Sequence, residues 1–168
     1  MSKNIQILDC TLRDGGLGLE DAEKNDLSHV RFSENDSRMT AGYLADSIDI
    51  IELGSIEITS DDRTGFCIYK NIEDISKQMP LKKKQNQMFA ALYRGPDTPI
   101  DDIPKWNPSL CEAVRVIIRY SELQKSLDFC AALSSKGYKV FVQPMLTMRY
   151  TKEEIQLLIE KSNEMNAY

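Results

Sequence analysis

Several things are scarce in this chain of 168 residues, and each scarcity narrows what it can be. There is one histidine, His29, and it sits in a polar stretch where a solvated loop side chain is the expected role. The four cysteines, Cys10, Cys67, Cys111 and Cys130, form no C-x-x-C pair, and three of them lie within or beside apolar segments. That spacing offers no zinc site from sequence neighbours and fits reduced, buried thiols in the cytosol. Basic charge is also short. The net charge is -5, and the one basic run, Lys82-Lys83-Lys84, reads as a solvated turn ahead of a strand. A nucleic-acid footprint needs clustered Lys and Arg on a basic background, so nucleic acid is excluded as a partner. No apolar run approaches membrane-spanning length, and no signal-like apolar region follows Met1. The expectation is a soluble cytoplasmic protein forming one domain over residues 1–168, long enough to bury a core.

What is present is concentrated near the start. Ile5-Gln6-Ile7-Leu8 is an apolar run of strand length, and it opens into Asp9-Cys10-Thr11-Leu12-Arg13-Asp14-Gly15-Gly16. A buried strand accounts for Ile5, Ile7 and Leu8. It does not account for two carboxylates and a guanidinium packed into six residues, followed by glycines that can bend sharply or approach a ligand closely. Cys10 is expected to be a packed thiol at the strand end, since nothing near it marks an activated nucleophile.

Along the chain the pattern is strand then helix, five times. The strands are expected at Asn4 to Asp9, Asp49 to Gly54, Gln87 to Tyr93, Ala113 to Arg119 and Lys139 to Gln143. Residues 15–32 read as a long polar loop without periodicity. Ser33 with Asp36 and Thr151 with Glu154 are capping-box pairs that open helices. Met39, Tyr43, Leu44 and Ile48 would give the first of these its apolar face; Ile155, Leu158 and Ile159 would do so for the last. A shorter helix begins at Asn71 and stops by Pro80, and another starts at Ser121 and ends at Gly137. Alternating strands and helices imply a parallel sheet with right-handed crossovers. Glu52 stands out, because a carboxylate inside a core strand needs a cationic or hydrogen-bonding partner.

The stretch Leu8-Asp9-Cys10-Thr11-Leu12-Arg13-Asp14-Gly15-Gly16 resembles the first-strand signature D-x-T-L-R-D-G of the metal-dependent aldolase and lyase superfamily. That group includes 4-hydroxy-2-oxovalerate aldolase, 3-hydroxy-3-methylglutaryl-CoA lyase and the isopropylmalate and homocitrate synthases. Glu52, in Ile51-Glu52-Leu53-Gly54, matches the group's acidic residue on the second strand. The resemblance implies a (β/α)8 barrel with its site at the C-terminal ends of the strands, here as a partial barrel of about five parallel strands flanked by helices. It implies that Asp14 ligates Mg2+ or Mn2+. Arg13 would stabilise an enolate formed on carbon–carbon cleavage of a 2-oxo acid or acyl substrate, and Glu52 would hold Arg13. Asp9 would be structural, orienting Arg13 or the turn. Arg94, Arg119 and Gln143, at the ends of the third, fourth and fifth strands, are candidates to bind substrate.

The chain departs from that pattern in two places. The family's His-x-His pair of metal ligands lies on a sixth strand that this sequence does not reach, so the second set of ligands is not in this chain. The aldolases' histidine three positions after the metal Asp is Leu17 here. The expectation is therefore the amino-terminal part of a lyase, inactive by itself, with an acetyl-CoA-dependent 2-oxo acid synthase or a non-catalytic half-barrel binding module as alternatives. Open sheet edges imply self-association or a missing carboxy-terminal half.

Overall fold

The computed structural model describes residues 5–82 and 84–168. Five parallel strands curl into a half-barrel with helices on its convex side, as expected. Strands β1 (Leu8–Asp9), β2 (Ile50–Ile56), β4 (Met88–Tyr93), β5 (Ala113–Ile118) and β6 (Lys139–Pro144) lie side by side in the order β1-β2-β4-β5-β6. A two-residue strand, β3 (Ile68–Tyr69), pairs with the far end of β2. The helices are α1 (Thr11–Lys24), α2 (Glu34–Leu44), α3 (Ile72–Ser76), α4 (Leu123–Ser135) and α5 (Lys152–Glu164). No helix among the described residues is long and apolar enough to cross a membrane.

Period-two alternation sorts each strand between two faces. Ile51 and Leu53, Phe89 and Ala91, and Val114, Val116 and Ile118 face the helices and join the main core with Leu127, Cys130 and Leu133. Ile50, Met88, Ala90 and Ala113 form a small second cluster on the concave face, backed by Leu8 and Phe141. A single residue, Tyr168, touches both sides of the sheet. Tyr168 donates its backbone N–H to Val140 O at 2.8 Å, packs its ring on Phe141, and reaches Gln6 on the β1 side with its hydroxyl.

Both capping boxes form, Ser33 with Asp36 and Thr151 with Glu154. Asn71 caps α3, and a single helical turn at Ile100–Asp102 docks Ile103 into the core. Lys82 pairs with Glu112, and Lys84 with Asp49 and Ser47 O, so these two lysines serve local contacts; Lys83 lies outside the described residues.

Four expectations fail in whole or in part, the last of them in α5. The expected loop over residues 15–32 is helical in its first part, because helix α1 runs from Thr11 to Lys24, and only residues 25–32 are irregular. The inward stripe of α1 is Leu12, Gly16 and Glu20, spaced four apart, and only the first is apolar, so the helical period was invisible to a hydrophobicity count. Three glycines within the helix, at about 1 kcal/mol each, pointed the same wrong way. Gly16 serves close packing rather than a bend: a Cβ there would lie 1.9 Å from Phe66 O. The second failure is half of the α2 face: Leu44 and Ile48 pack against the core, but Met39 and Tyr43 are exposed and the buried residues are Ser37 and Ala41, with Ala45 at the cap; small side chains let this helix sit close to the sheet. The third is the first strand, which is shorter than expected. Ile5 and Ile7 are exposed on the free edge, and Asn4 lies outside the described residues. In α5, Leu158 is buried while Ile155 and Ile159 are exposed, bordering an apolar groove with Val142 and Tyr150.

Candidate active site

The concave face carries a charged floor. Glu52, on β2, has no exposed surface at all. A carboxylate so placed must be paired, and two guanidiniums meet it. Arg13, in the first turn of α1, donates its Nε to Glu52 Oε1. Arg115, on β5, donates Nη2 to the same oxygen at 2.8 Å and sets Nε 2.7 Å from Oε2, close in charge but not aligned as a hydrogen bond. The strand between them is β4, and the residue in register with Glu52 there is Ala90. A methyl group at that position leaves room for Arg115 to reach across a whole strand.

Position in the chain explains why these groups converge. Asp9 ends β1 and accepts hydrogen bonds from the backbone N–H (2.9 Å) and hydroxyl (3.0 Å) of Thr11, which turns the chain directly into α1. That geometry places Arg13 in the first turn of the helix, against Glu52 of β2. Gly16 then lets α1 lie against the Thr64–Phe66 turn. Beyond Glu52 the register of β2 against β4 shifts, and Gly54, with φ of 156°, sits where a Cβ would strike Cys67 O at 2.2 Å. Irregularities of this kind re-aim strand ends beside functional sites.

Arg13 also holds Asp14, Nη1 to Oδ1 at 2.7 Å and Nη2 to Oδ2 at 3.1 Å. Burial works against the charge on Arg13, but Glu52 outweighs it and raises the guanidinium above its usual value. Cys10, half-buried beside Arg13, has its thiol pushed up by burial and then by Glu52, while Arg13 and Arg115 pull it down; the net direction is up. A thiol held protonated is a poor nucleophile, as expected for a packed strand-end cysteine.

Asp14 itself is largely exposed at the mouth of the floor. Among the described residues no three His, Cys, Asp or Glu side chains come together as a metal-binding group. Asp14 by itself therefore does not make a divalent-cation site, since such ions draw on six or more oxygen ligands.

A second charged network lies at the strand ends. Arg63 is held between Glu20 (Nε to Oε1, 2.7 Å) and Glu57, and Glu57 also receives Arg94. Burial tends to raise the Glu20 carboxyl, but hydrogen bonds from Lys24 and Arg63 prevail and hold it below its usual value. Arg119 is bound by Asp97 (Nη1 to Oδ1, 2.8 Å), by Glu122 (3.0 Å) and by the carbonyl of Arg94, and Gly95 leaves the space its guanidinium fills. Glu57, Arg94, Gly95, Asp97 and Arg119 line a cavity of about 270 Å3. Thus Arg94 and Arg119 come together at the rim, both already engaged by carboxylates. Gln143 ends β6 on the concave side, with its Oε1 buried and unpartnered. His29 is exposed after α1.

Arg115 was missed in the sequence, although the signal was there. A guanidinium inside Val114-Arg115-Val116-Ile117-Ile118 needs a buried partner for the same reason that Glu52 does. Glu20, Glu57 and Arg63 carried no comparable signal, because each lies in a stretch where charge is ordinary.

No family profile and no curated protein matches this sequence. Among solved structures, the fold is similar to that of a protein from Bacteroides vulgatus described as the N-terminal domain of a "putative aldolase", with a TM-score of 0.67 over 96% of this chain at 18% identity. This chain spans about half of that one, 52% of its length, and at such low identity the likeness establishes a shared half-barrel fold.

Proposed function

We propose that this chain carries the enolate-stabilising part of a metal-dependent aldolase or lyase acting on a 2-oxo acid. The observation that carries the reading is Glu52, wholly buried and met by two guanidiniums inside a half-barrel whose first strand and following helix carry Asp9, Thr11, Arg13 and Asp14 in the pattern of that superfamily. The similarity in fold to an N-terminal domain described as aldolase-like supports it.

The chemistry asked of these residues is definite. In cleavage of a 4-hydroxy-2-oxo acid the C3–C4 bond breaks, the 4-hydroxyl gives up its proton, and C4 leaves as an aldehyde. The electron pair moves into the 2-oxo group and makes an enolate oxygen; protonation at C3 then yields the shorter 2-oxo acid. A fixed donor aimed at the developing oxyanion is the largest single aid such a reaction can receive, about 3–4 kcal/mol per donor. Arg13 fits that role. Glu52 fixes its Nε edge, so its Nη edge is presented in one direction, toward Asp14. Asp14 is exposed and able to withdraw, after which the substrate oxygen takes its place on Arg13. The divalent ion expected at Asp14 would supply Lewis-acid polarisation, with its other ligands drawn from outside the described residues. Arg94, Arg119 and Gln143 are candidates for the remote end of the substrate, and the two arginines must exchange a carboxylate partner to reach it.

The test is cleavage of 4-hydroxy-2-oxo acids by the natural gene product carrying these residues, in the presence of Mn2+. Pyruvate release is expected, falling about a hundredfold or more in Arg13→Gln. Cleavage unchanged by that substitution would overturn the reading.

A further inference from the structure

We infer that Arg115 is a substrate-binding residue: its guanidinium receives the C1 carboxylate of the 2-oxo acid whose enolate oxygen faces Arg13. This rests on the reading above and deepens it, because it assigns the two ends of one small anion to two arginines joined by one buried glutamate.

The argument starts from charge. Burying Glu52 requires one cation, and Arg13 supplies it. Arg115 adds a second, so the Arg13–Glu52–Arg115 floor holds one positive charge more than pairing needs. The exposed Asp14 takes up that charge at Arg13, through both Nη atoms, whereas Arg115 has no carboxylate besides Glu52 among the described residues. Its Nη2 is given to Glu52 and its Nε sits obliquely against Oε2, while Nη1 has no partner among the described residues. A buried arginine placed only for stability spends its five donors on the protein. Arg115 instead keeps an open corner on the concave face, with 15% of its side chain exposed.

Geometry points the same way. Arg115 reaches Glu52 across β4, where the residue in register with Glu52 is the small Ala90. Arg13 and Arg115 both contact Glu52 Oε1, so the two guanidiniums flank one point of the floor. A planar 2-oxo acid has its carboxylate and 2-oxo oxygens on adjacent carbons, and two guanidiniums diverging from one carboxylate oxygen suit that spacing. Gln143, also on the concave side, has a buried acceptor without a donor. The ligand class is therefore a small planar 2-oxo carboxylate.

Oxalate, a planar dianion that mimics the enolate of pyruvate, is the probe. The chain with 15N- and 13C-labelled arginine is titrated with oxalate, and side-chain resonances are followed. Saturable shifts at both Arg13 and Arg115 are expected, with a dissociation constant on the order of 1 mM. Arg115→Gln should weaken binding about tenfold or more; Arg115→Lys, which keeps charge but loses the planar fork, should fall between. Circular dichroism on each variant confirms that it is folded, and the wild-type resonances carry the test if one is not. Unchanged oxalate affinity in folded Arg115→Gln, or no shift at Arg115 in the wild type, overturns the inference. Loss of binding in Arg115→Gln but not in Arg13→Gln upholds the carboxylate role while removing support for Arg13 as the enolate partner. An absence of saturable binding to the wild-type chain overturns both.

Discussion

The floor and the rim of this half-barrel are built from the same two residue types and come out differently. At the rim, Arg63, Arg94 and Arg119 are each matched by carboxylates from Glu20, Glu57, Asp97 or Glu122, and the side chains are partly solvated. On the floor one carboxylate without exposed surface serves two arginines, and one guanidinium corner is left open. A saturated, solvated network is a clasp that ties strand ends together. An unsaturated, dehydrated one holds free energy that a ligand can claim. Arginine–carboxylate pairing alone does not mark a site; the balance of charge and the access of water do.

The largest expected effect comes from removing the centre of the floor. Glu52→Ala leaves two guanidiniums without their shared acceptor and should cost about 3–5 kcal/mol in urea unfolding. Glu57→Gln at the rim, where Arg63 and Arg94 can turn to water, should cost about 1 kcal/mol. Similar losses in both variants would erase the distinction between the two regions. A smaller effect tests how α1 presents Arg13. Gly16→Ala drives a methyl group into Phe66 O, and the helix must back away; a loss of about 2 kcal/mol is expected by thermal unfolding, and no loss would mean that α1 is not held at this depth.

The gentlest test uses Cys10 as a reporter, since Cys67, Cys111 and Cys130 have no exposed surface. Burial and Glu52 both raise its thiol, so alkylation should require higher pH than for a free cysteine. Removing the negative charge with Glu52→Gln moves the profile to lower pH, whereas removing a positive one with Arg115→Gln moves it to higher pH. A profile indifferent to both changes would place Cys10 out of reach of the floor.

The fold was legible because its strands are largely apolar runs and two of its helices, α2 and α5, open on capping boxes, both local signals. That Glu52 needs a cationic or hydrogen-bonding partner was legible for a related reason, a charge inside a core strand; that the partner is Arg13 came only from the resemblance of the first-strand stretch. Helix α1 was hidden because its buried stripe uses glycine and glutamate, whose reasons for being inside are the Phe66 carbonyl and the Arg63 guanidinium, each more than forty residues away. Arg115 was harder to see, since it lies two residues inside β5 and its partner Glu52 is two strands away. Apart from the i,i+3 pair of Arg119 and Glu122, the rim pairs were beyond any local pattern, since Glu57 meets Arg94 only when β2 and β4 are side by side.

The measurement that bears most directly on the floor as the site is exchange of the methyl protons of pyruvate in D2O, followed by NMR, with the natural gene product and Mn2+. Enolisation needs the reacting end of the substrate alone and makes no demand on residues that hold its remote end. The account predicts exchange above the buffer rate that is lost in Arg13→Gln and Glu52→Gln and retained in Arg63→Gln. Exchange that survives both floor substitutions, or that is lost equally at the rim, would contradict it.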